Sequence, residues 1–353
     1  MGDLFEGVIG HRAVIGVLEG DVAEPAHAYL FVGPLGVGKA MVARRFAAGI
    51  ICGADQQCQS RVMRGFHPDV AVVEPDGRSA ITVEQARNTV ALANLAPVEG
   101  ARKIFILEEG GAMNDEAANA LLKTLEEPTA STIFLVVAES EDDLPSTVAS
   151  RCRTVVFGRV PETDIEIGLV AQGIDAVRAK QAAQISGGRP GLAVSLATRA
   201  DVAAFRNVWM SVPLRLSEHP GDGYRLADEV EVAADPLMAA LKDRQREEAA
   251  TMEAEGGLSK AVEQRHAREL KRAAIALHVS GLEILSGFYR DAAAAQLGAP
   301  VHNPDIPAPA LTRLTPRRAV HNADRILEAI DAIRANQRPQ LALASLFSDI
   351  GGR

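Results

Sequence analysis

The stretch HAYLFVGPLGVGKA, from His27 to Ala40, constrains this chain more than any other. Tyr29 to Val32 reads as a short buried strand. Gly33, Gly36 and Gly38 then free the backbone to wrap tightly, and Lys39 opens a helix running through Val42, Ala43, Phe46 and Ile50. That order makes a phosphate cradle: backbone N–H groups point inward, the helix end adds partial positive charge, and the lysine reaches the outer phosphates. The template G-x-x-x-x-G-K-[ST] is met from Gly33 through Lys39 and fails at Ala40. A hydroxyl at that place normally ligates the Mg²⁺ that bridges the outer phosphates, and a methyl group cannot coordinate a hard cation. The expectation is a nucleotide site on the right scaffold but disarmed.

The segments that follow alternate strand and helix. Asp69 to Glu74 and Lys103 to Leu107 are short apolar runs, the second apolar on both faces as a central parallel strand is. Between them, Val83, Ala86, Val90 and Ala91 give a helix from Thr82 to Leu95. Glu108 and Glu109 end the Lys103 strand, where a working P-loop ATPase carries a Mg²⁺-holding Asp and a water-orienting Glu. The pair reads either as a loosened metal geometry or as carboxylates at an exposed strand end. Asn114 to Glu127 is a helix stopped by Pro128, and Thr132 to Ala138 a fourth strand. Glu139 follows it, and a carboxylate there would repel a γ-phosphate. Ser150, Arg151 and Cys152 close a short helix before a fifth strand, Thr154 to Phe157.

Composition bounds the rest. The chain's 353 residues allow two or three domains, and 47% hydrophobic with 4% aromatic content suits helix-rich structure. A net charge of −9 disfavours binding nucleic acid alone. No apolar run reaches a membrane span and no signal-peptide pattern is visible, so a cytoplasmic location is expected. Cys52, Cys58 and Cys152 are too few for a disulfide scaffold, in keeping with a reducing compartment. Cys52, Cys58 and His67 read either as a zinc knob or as a surface loop with incidental cysteines. The absence of a C-x₂₋₄-C pair favours the loop.

Four segments together, HAYLFVGPLGVGK, KIFILEE, NDEAANALLKTLEEP and TIFLVVAESEDDLPSTVASRC, resemble the N-terminal module of the AAA+ clamp loaders of bacterial replication, in their delta-prime branch. NALLKTLEEP and the Ser-Arg-Cys triplet carry the specificity. The likeness runs over roughly residues 1 to 200, and NQRPQLALASLF, Asn336 to Phe347, resembles the family's last collar helix. The resemblance implies an α/β plus all-α architecture: an AAA+ P-loop parallel sheet over residues 1–158, a small helical lid over 159–204 and a C-terminal helical collar, the oligomerisation domain, over 205–353. It implies a ring that opens a sliding clamp and closes it on primed DNA. Arg151 would reach the ATP of a neighbouring subunit, with Ser150 and Cys152 positioning it, an effect worth ~10³ to 10⁵ in rate in other nucleotide hydrolases. The implied partners are gamma/tau motor and delta subunits, the clamp indirectly, and primer-template DNA through the assembled complex, with no membrane.

No cofactor is required under this reading; ATP or ADP would bind the cradle weakly, and little or no ATPase activity is expected of the chain alone. The family's four-cysteine zinc module is reduced here to Cys52 and Cys58, so no metal is carried over. Arg189 stands where lid domains sometimes place an arginine on bound phosphates, but Pro190 beside it favours loop packing. From Phe205 onward the chain reads as helical; the mixed charges from Asp243 to Arg272, broken at Gly256 and Gly257, suit a solvated face or a partner-binding hairpin. Arg313, Arg317 and Arg318, near Pro316, read as a helix start. Two rival functions remain open: an active gamma/tau-type ATPase, and a clamp-independent AAA+ binding module.

Overall fold

The computed structural model describes residues 4–75, 81–217, 219–255, 260–335 and 337–351. Gly256, Gly257 and Asn336 lie outside the described residues. The chain divides into two compact units, Met1–Val194 and Ser195–Arg353.

The first unit is built on a parallel sheet of β1 (Ala28–Val32), β2 (Val70–Val73), β3 (Lys103–Leu107), β4 (Thr132–Ala138) and β5 (Arg153–Val156), in the order β2-β3-β4-β1-β5. Every residue of β1, β3 and β4 is buried, which is why these runs are apolar without alternation. Their side chains divide between two cores with a period of two. Tyr29, Phe31, Ile104, Ile106, Ile133, Leu135 and Val137 face one side, where they meet Leu18 of α1 (Arg12–Asp21) and Val42, Ala43, Phe46 and Ala47 of α2 (Lys39–Cys52). Leu30, Val32, Phe105, Leu107, Phe134 and Val136 face the other. There they meet small and apolar residues of α4 (Val83–Ala93) and α5 (Asp115–Glu126). Sequence-local chemistry starts both helices: Thr82 and Gln85 form a capping box on α4, and the Asn114 side chain accepts from the Ala117 N–H on α5.

Where a loop was expected after the cradle helix, the chain forms α3 (Gln56–Met63). Asp55 caps it by accepting from the N–H groups of Gln57 and Cys58, a start signal that outweighs the segment's polarity. Beyond the short α6 (Ser146–Ala149) and β5 come α7 (Glu162–Ala171), α8 (Ala176–Ser186) and α9 (Pro190–Thr198), the last straddling the boundary between the two units. Close approach fastens α7 to the N-terminal segment: a Cβ on Gly168 would lie 2.7 Å from the Ile9 side chain.

The second unit is helical, with α10 (Ala200–Arg215), α11 (Pro220–Val232), α12 (Asp235–Glu255), α13 (Lys260–Gln296), α14 (Ala308–Leu311), α15 (Pro316–Arg334) and α16 (Pro339–Gly351). Its core centres on Trp209, Leu226, Leu282, Leu285, Ile326 and Phe347. Pro316 is the first residue of α15 and Thr315 its cap, as the cluster of arginines there suggested. A buried polar clamp holds the approach to α14: the Arg206 guanidinium donates to Asp305 and Asn303, and the Asp291 carboxylate accepts from the Asn303 N–H and side chain.

Candidate functional site

Parallel pairing brings the carboxyl ends of β1, β3 and β4 to one edge of the sheet, and the candidate site lies there. Val32 is level with Ala138, so Gly33 and Glu139 leave the sheet side by side, and the Gly33 N–H donates to the Glu139 carbonyl at 3.0 Å. Gly33 has φ +147°, and a Cβ there would fall 2.1 Å from the Phe157 carbonyl oxygen, so the cradle's entry is closed to any side chain. Gly38, at φ +103°, delivers the chain into α2. His11 supports the loop from behind: its Nε2 is 2.8 Å from the Val37 carbonyl oxygen, and its ring meets Phe157 edge-on. Burial lowers the His11 pKa against the opposing pull of that carbonyl.

Lys39 is buried, and its ammonium turns back on its own loop, donating to the carbonyls of Gly33 at 2.5 Å and Pro34 at 2.8 Å. Burial lowers its pKa, while the charges of Glu139 and Asp143 pull the other way. The lysine is thus satisfied inside the chain and bracketed by carboxylates rather than by further cations.

Glu108 follows β3 directly, as expected, but it is not open to a metal. Arg44 of α2 donates from Nε to its carboxylate at 2.6 Å. Burial disfavours the Arg44 charge, and the bond to Glu108 together with the charges of Glu108 and Glu74 more than offset it, leaving the guanidinium pKa raised. The looser metal geometry considered from sequence is replaced by an ion pair, because a cation from the neighbouring helix already holds the carboxylate. Mg²⁺, which a P-loop of this kind ordinarily uses, does not fit here: Ala40 offers no oxygen and Glu108 is taken. Arg44 was missed by sequence reasoning, although its position one helical turn after Ala40 was a usable signal. Glu109 stands at the N-cap position of the turn Gly110–Ala112, without a capping hydrogen bond from its side chain.

Arg189 packs in the loop before α9, as expected, its Nε donating to the Ser186 carbonyl at 3.1 Å. It directly precedes α9, in which Pro190 takes the first position, and its side-chain Cδ is 3.2 Å from where a Cβ on Gly36 would stand. A proline barred from a helix interior is well suited to a helix start, so the arginine before it is delivered to the cradle's tip.

Arg151 lies elsewhere. It donates from Nη1 to the Thr147 carbonyl at 2.6 Å and pairs through Nη2 with Glu126 at the end of α5. The Ser150 hydroxyl donates to the same Thr147 carbonyl at 3.4 Å. Cys152 packs beneath, against the core around Phe105 and Phe134, and burial pushes its thiol up to about 11. It is therefore an anchor rather than a reactive group.

The second cysteine cluster departs from the expectation of incidental thiols in a loop: Cys52 and Cys58 are joined in a disulfide between α2 and α3, with a ring nitrogen of buried His67 within 4.8 Å of the sulfurs. Bonded sulfurs offer no thiolate, so the set does not fit zinc in this state. Among the described residues no helix is long and apolar enough to cross a membrane.

Comparison with known proteins agrees with the motifs. Residues 13–161 match the family model described as DNA polymerase III, delta subunit. The DNA polymerase III subunit delta' of Pseudomonas aeruginosa is 40% identical over 142 residues, 38% of this chain and 43% of that protein. The Bacillus subtilis subunit delta' is 33% identical over 168 residues, 46% of this chain and 51% of that protein. The chain thus spans about half or less of the length of these relatives. A solved gamma subunit-related protein from Thermotoga maritima superposes with a TM-score of 0.48 at 16% identity, over 95% of this chain and 97% of that one. Over residues 13–161 the chain is therefore similar to the delta' subunits of DNA polymerase III.

Proposed function

We propose that this chain is a mostly non-hydrolysing subunit of the DNA polymerase III clamp loader, and that it donates Arg151 in trans to the ATP of a neighbouring subunit while a sliding clamp is loaded onto primed DNA. The observation that supports this reading is the placement of Arg151 relative to the cradle. β1 and β5 run parallel with Tyr29 level with Arg153. Arg151 thus enters at the amino-terminal edge of the sheet, whereas Gly33 to Lys39 leave from the carboxyl edge. At about 3.3 Å per residue the two ends of these strands stand well over 10 Å apart. An arginine so placed serves another molecule's phosphates or none. The partners follow from the same reading: gamma/tau-type motor and delta subunits directly, clamp and primer-template DNA through the complex.

The test is clamp-stimulated ATP hydrolysis by a reconstituted loader carrying Arg151→Ala. Activity is expected to fall at least ~tenfold with assembly intact, toward the range seen when other arginine fingers are removed. Unchanged activity in an assembled loader refutes the role. The active-ATPase alternative draws on the retained Lys39 and is separated by the chain's own turnover: hydrolysis by the isolated chain supports it.

A further inference from the structure

The cradle's disarming goes deeper than the missing hydroxyl. Ala40 and Arg44 are four residues apart on α2, so they share a face one turn apart, and helix side chains lean toward the N-terminus. Arg44 therefore reaches back along the face that carries Ala40, toward the cradle, and meets Glu108 coming from the end of β3 at 2.6 Å. Ala40 and Glu108 are the two places from which a P-loop site ordinarily holds its divalent cation. Here a side-chain cation from the helix face that carries Ala40 holds Glu108. Its carboxylate partner is only 16% exposed and Arg44 only 29%, so the pair is screened from competing water and salt more than a surface pair is. The charge of Glu74, at the end of β2, adds to the hold on the guanidinium.

We infer that Arg44 replaces the divalent cation in this site, so that a nucleoside di- or triphosphate entering the cradle is bound as the metal-free anion. The inference rests on reading the cradle as a nucleotide site, but not on any role of Arg151. Arg44 is a positioning residue: it acts by holding Glu108 and by occupying the metal's side of the cradle. A direct consequence is that restoring the template hydroxyl alone does not restore a Mg²⁺ site. The carboxylate must be released as well.

Equilibrium binding of ATP and of ADP to the full chain, measured calorimetrically in excess Mg²⁺ and again in excess EDTA, reads this directly. The variants are Ala40→Thr, Arg44→Ala, and the double variant Ala40→Thr with Arg44→Ala. A second double variant with Arg44→Met keeps the aliphatic stem packed on the sheet should the truncation unfold the chain. For the unaltered chain and for Ala40→Thr, ATP is expected to bind detectably in EDTA and Mg²⁺ to change its affinity by less than about twofold; no detectable binding in EDTA overturns the inference. For a folded double variant, Mg²⁺ is expected to tighten ATP binding by at least ~tenfold, or about 1.4 kcal/mol. The inference is overturned if the unaltered chain or Ala40→Thr alone shows the tenfold Mg²⁺ gain, or if neither folded double variant shows it. Loader activity in the Arg151→Ala experiment does not enter these outcomes, so either proposal can fail while the other stands.

Discussion

In the proposed role Arg151 serves a neighbouring subunit, and its ion pair with Glu126 is the contact it leaves to do so. Both are partly exposed, and their ion pair holds the guanidinium at the surface rather than letting it sweep freely. Exposed pairs of this sort contribute little to stability. Glu126→Gln is therefore expected to leave the thermal midpoint unchanged while raising clamp-stimulated hydrolysis of the assembled loader at subsaturating ATP, because the guanidinium no longer has to leave a carboxylate. A fall in hydrolysis with intact assembly would instead make Glu126 part of the productive geometry. Asp69 behaves in the opposite way. It is fully buried, and its carboxylate accepts from the N–H groups of Val98 at 2.5 Å and of Glu99 and Gly100 at 2.8 Å. Burial alone would push its pKa up, but these three donors and nearby His67 hold it below the ordinary value. A depressed folded pKa gives stability that is present above the unfolded value of about 4 and is lost as pH falls through the folded value. Asp69→Asn should thus cost about 1–3 kcal/mol at neutral pH, with the gap to the unaltered chain closing below about pH 4 in urea titrations. At this scale the sequence was legible where a residue's role is local. Gly33, Lys39 and Glu108 stand where the spacing placed them, but Arg44 and His11 acquire their roles from contacts 64 and 26 residues distant in sequence.

Among elements, the packing of α10 on α13 shows how a close approach overrides propensity. Gly281 sits inside α13, where alanine would normally be favoured by about 1 kcal/mol. A Cβ there would lie 2.0 Å from the Trp209 ring, which is itself completely buried. The clash outweighs the propensity gain, so Gly281→Ala is expected to destabilise the second unit by about 1–3 kcal/mol, read as a lowered urea midpoint. An unchanged or raised midpoint would show that the indole can shift without cost. The strands and the helices that cover them were readable because each carries its own period and caps, as Thr82 with Gln85 and Asn114 show. The α3 helix was not, because its polar run offers no apolar stripe and its start depends on one side chain, Asp55, folding back on two N–H groups.

In the whole molecule each unit carries its own hydrophobic cores: two on the faces of the sheet and one among α10 to α16. Separate cores need not unfold together. In Gly281→Ala, amide exchange is accordingly expected to quicken in α10, α13 and α16 while the amides of β1, β3 and β4 keep their protection. The sequence by itself determined the succession of the five strands, the glycine-rich cradle-like loop into α2 and the lack of a hydroxyl at Ala40, since all of these follow from local spacing and side-chain chemistry. Only the tertiary structure decided that Arg189 meets the tip of that cradle, that Arg44 closes on Glu108, and that Arg151 leaves from the opposite edge of the sheet. The physical reason is strand order. Inserting β1 between β4 and β5 brings segments about a hundred residues apart to one edge and sends others to the far one, and no local pattern in the chain encodes that distance.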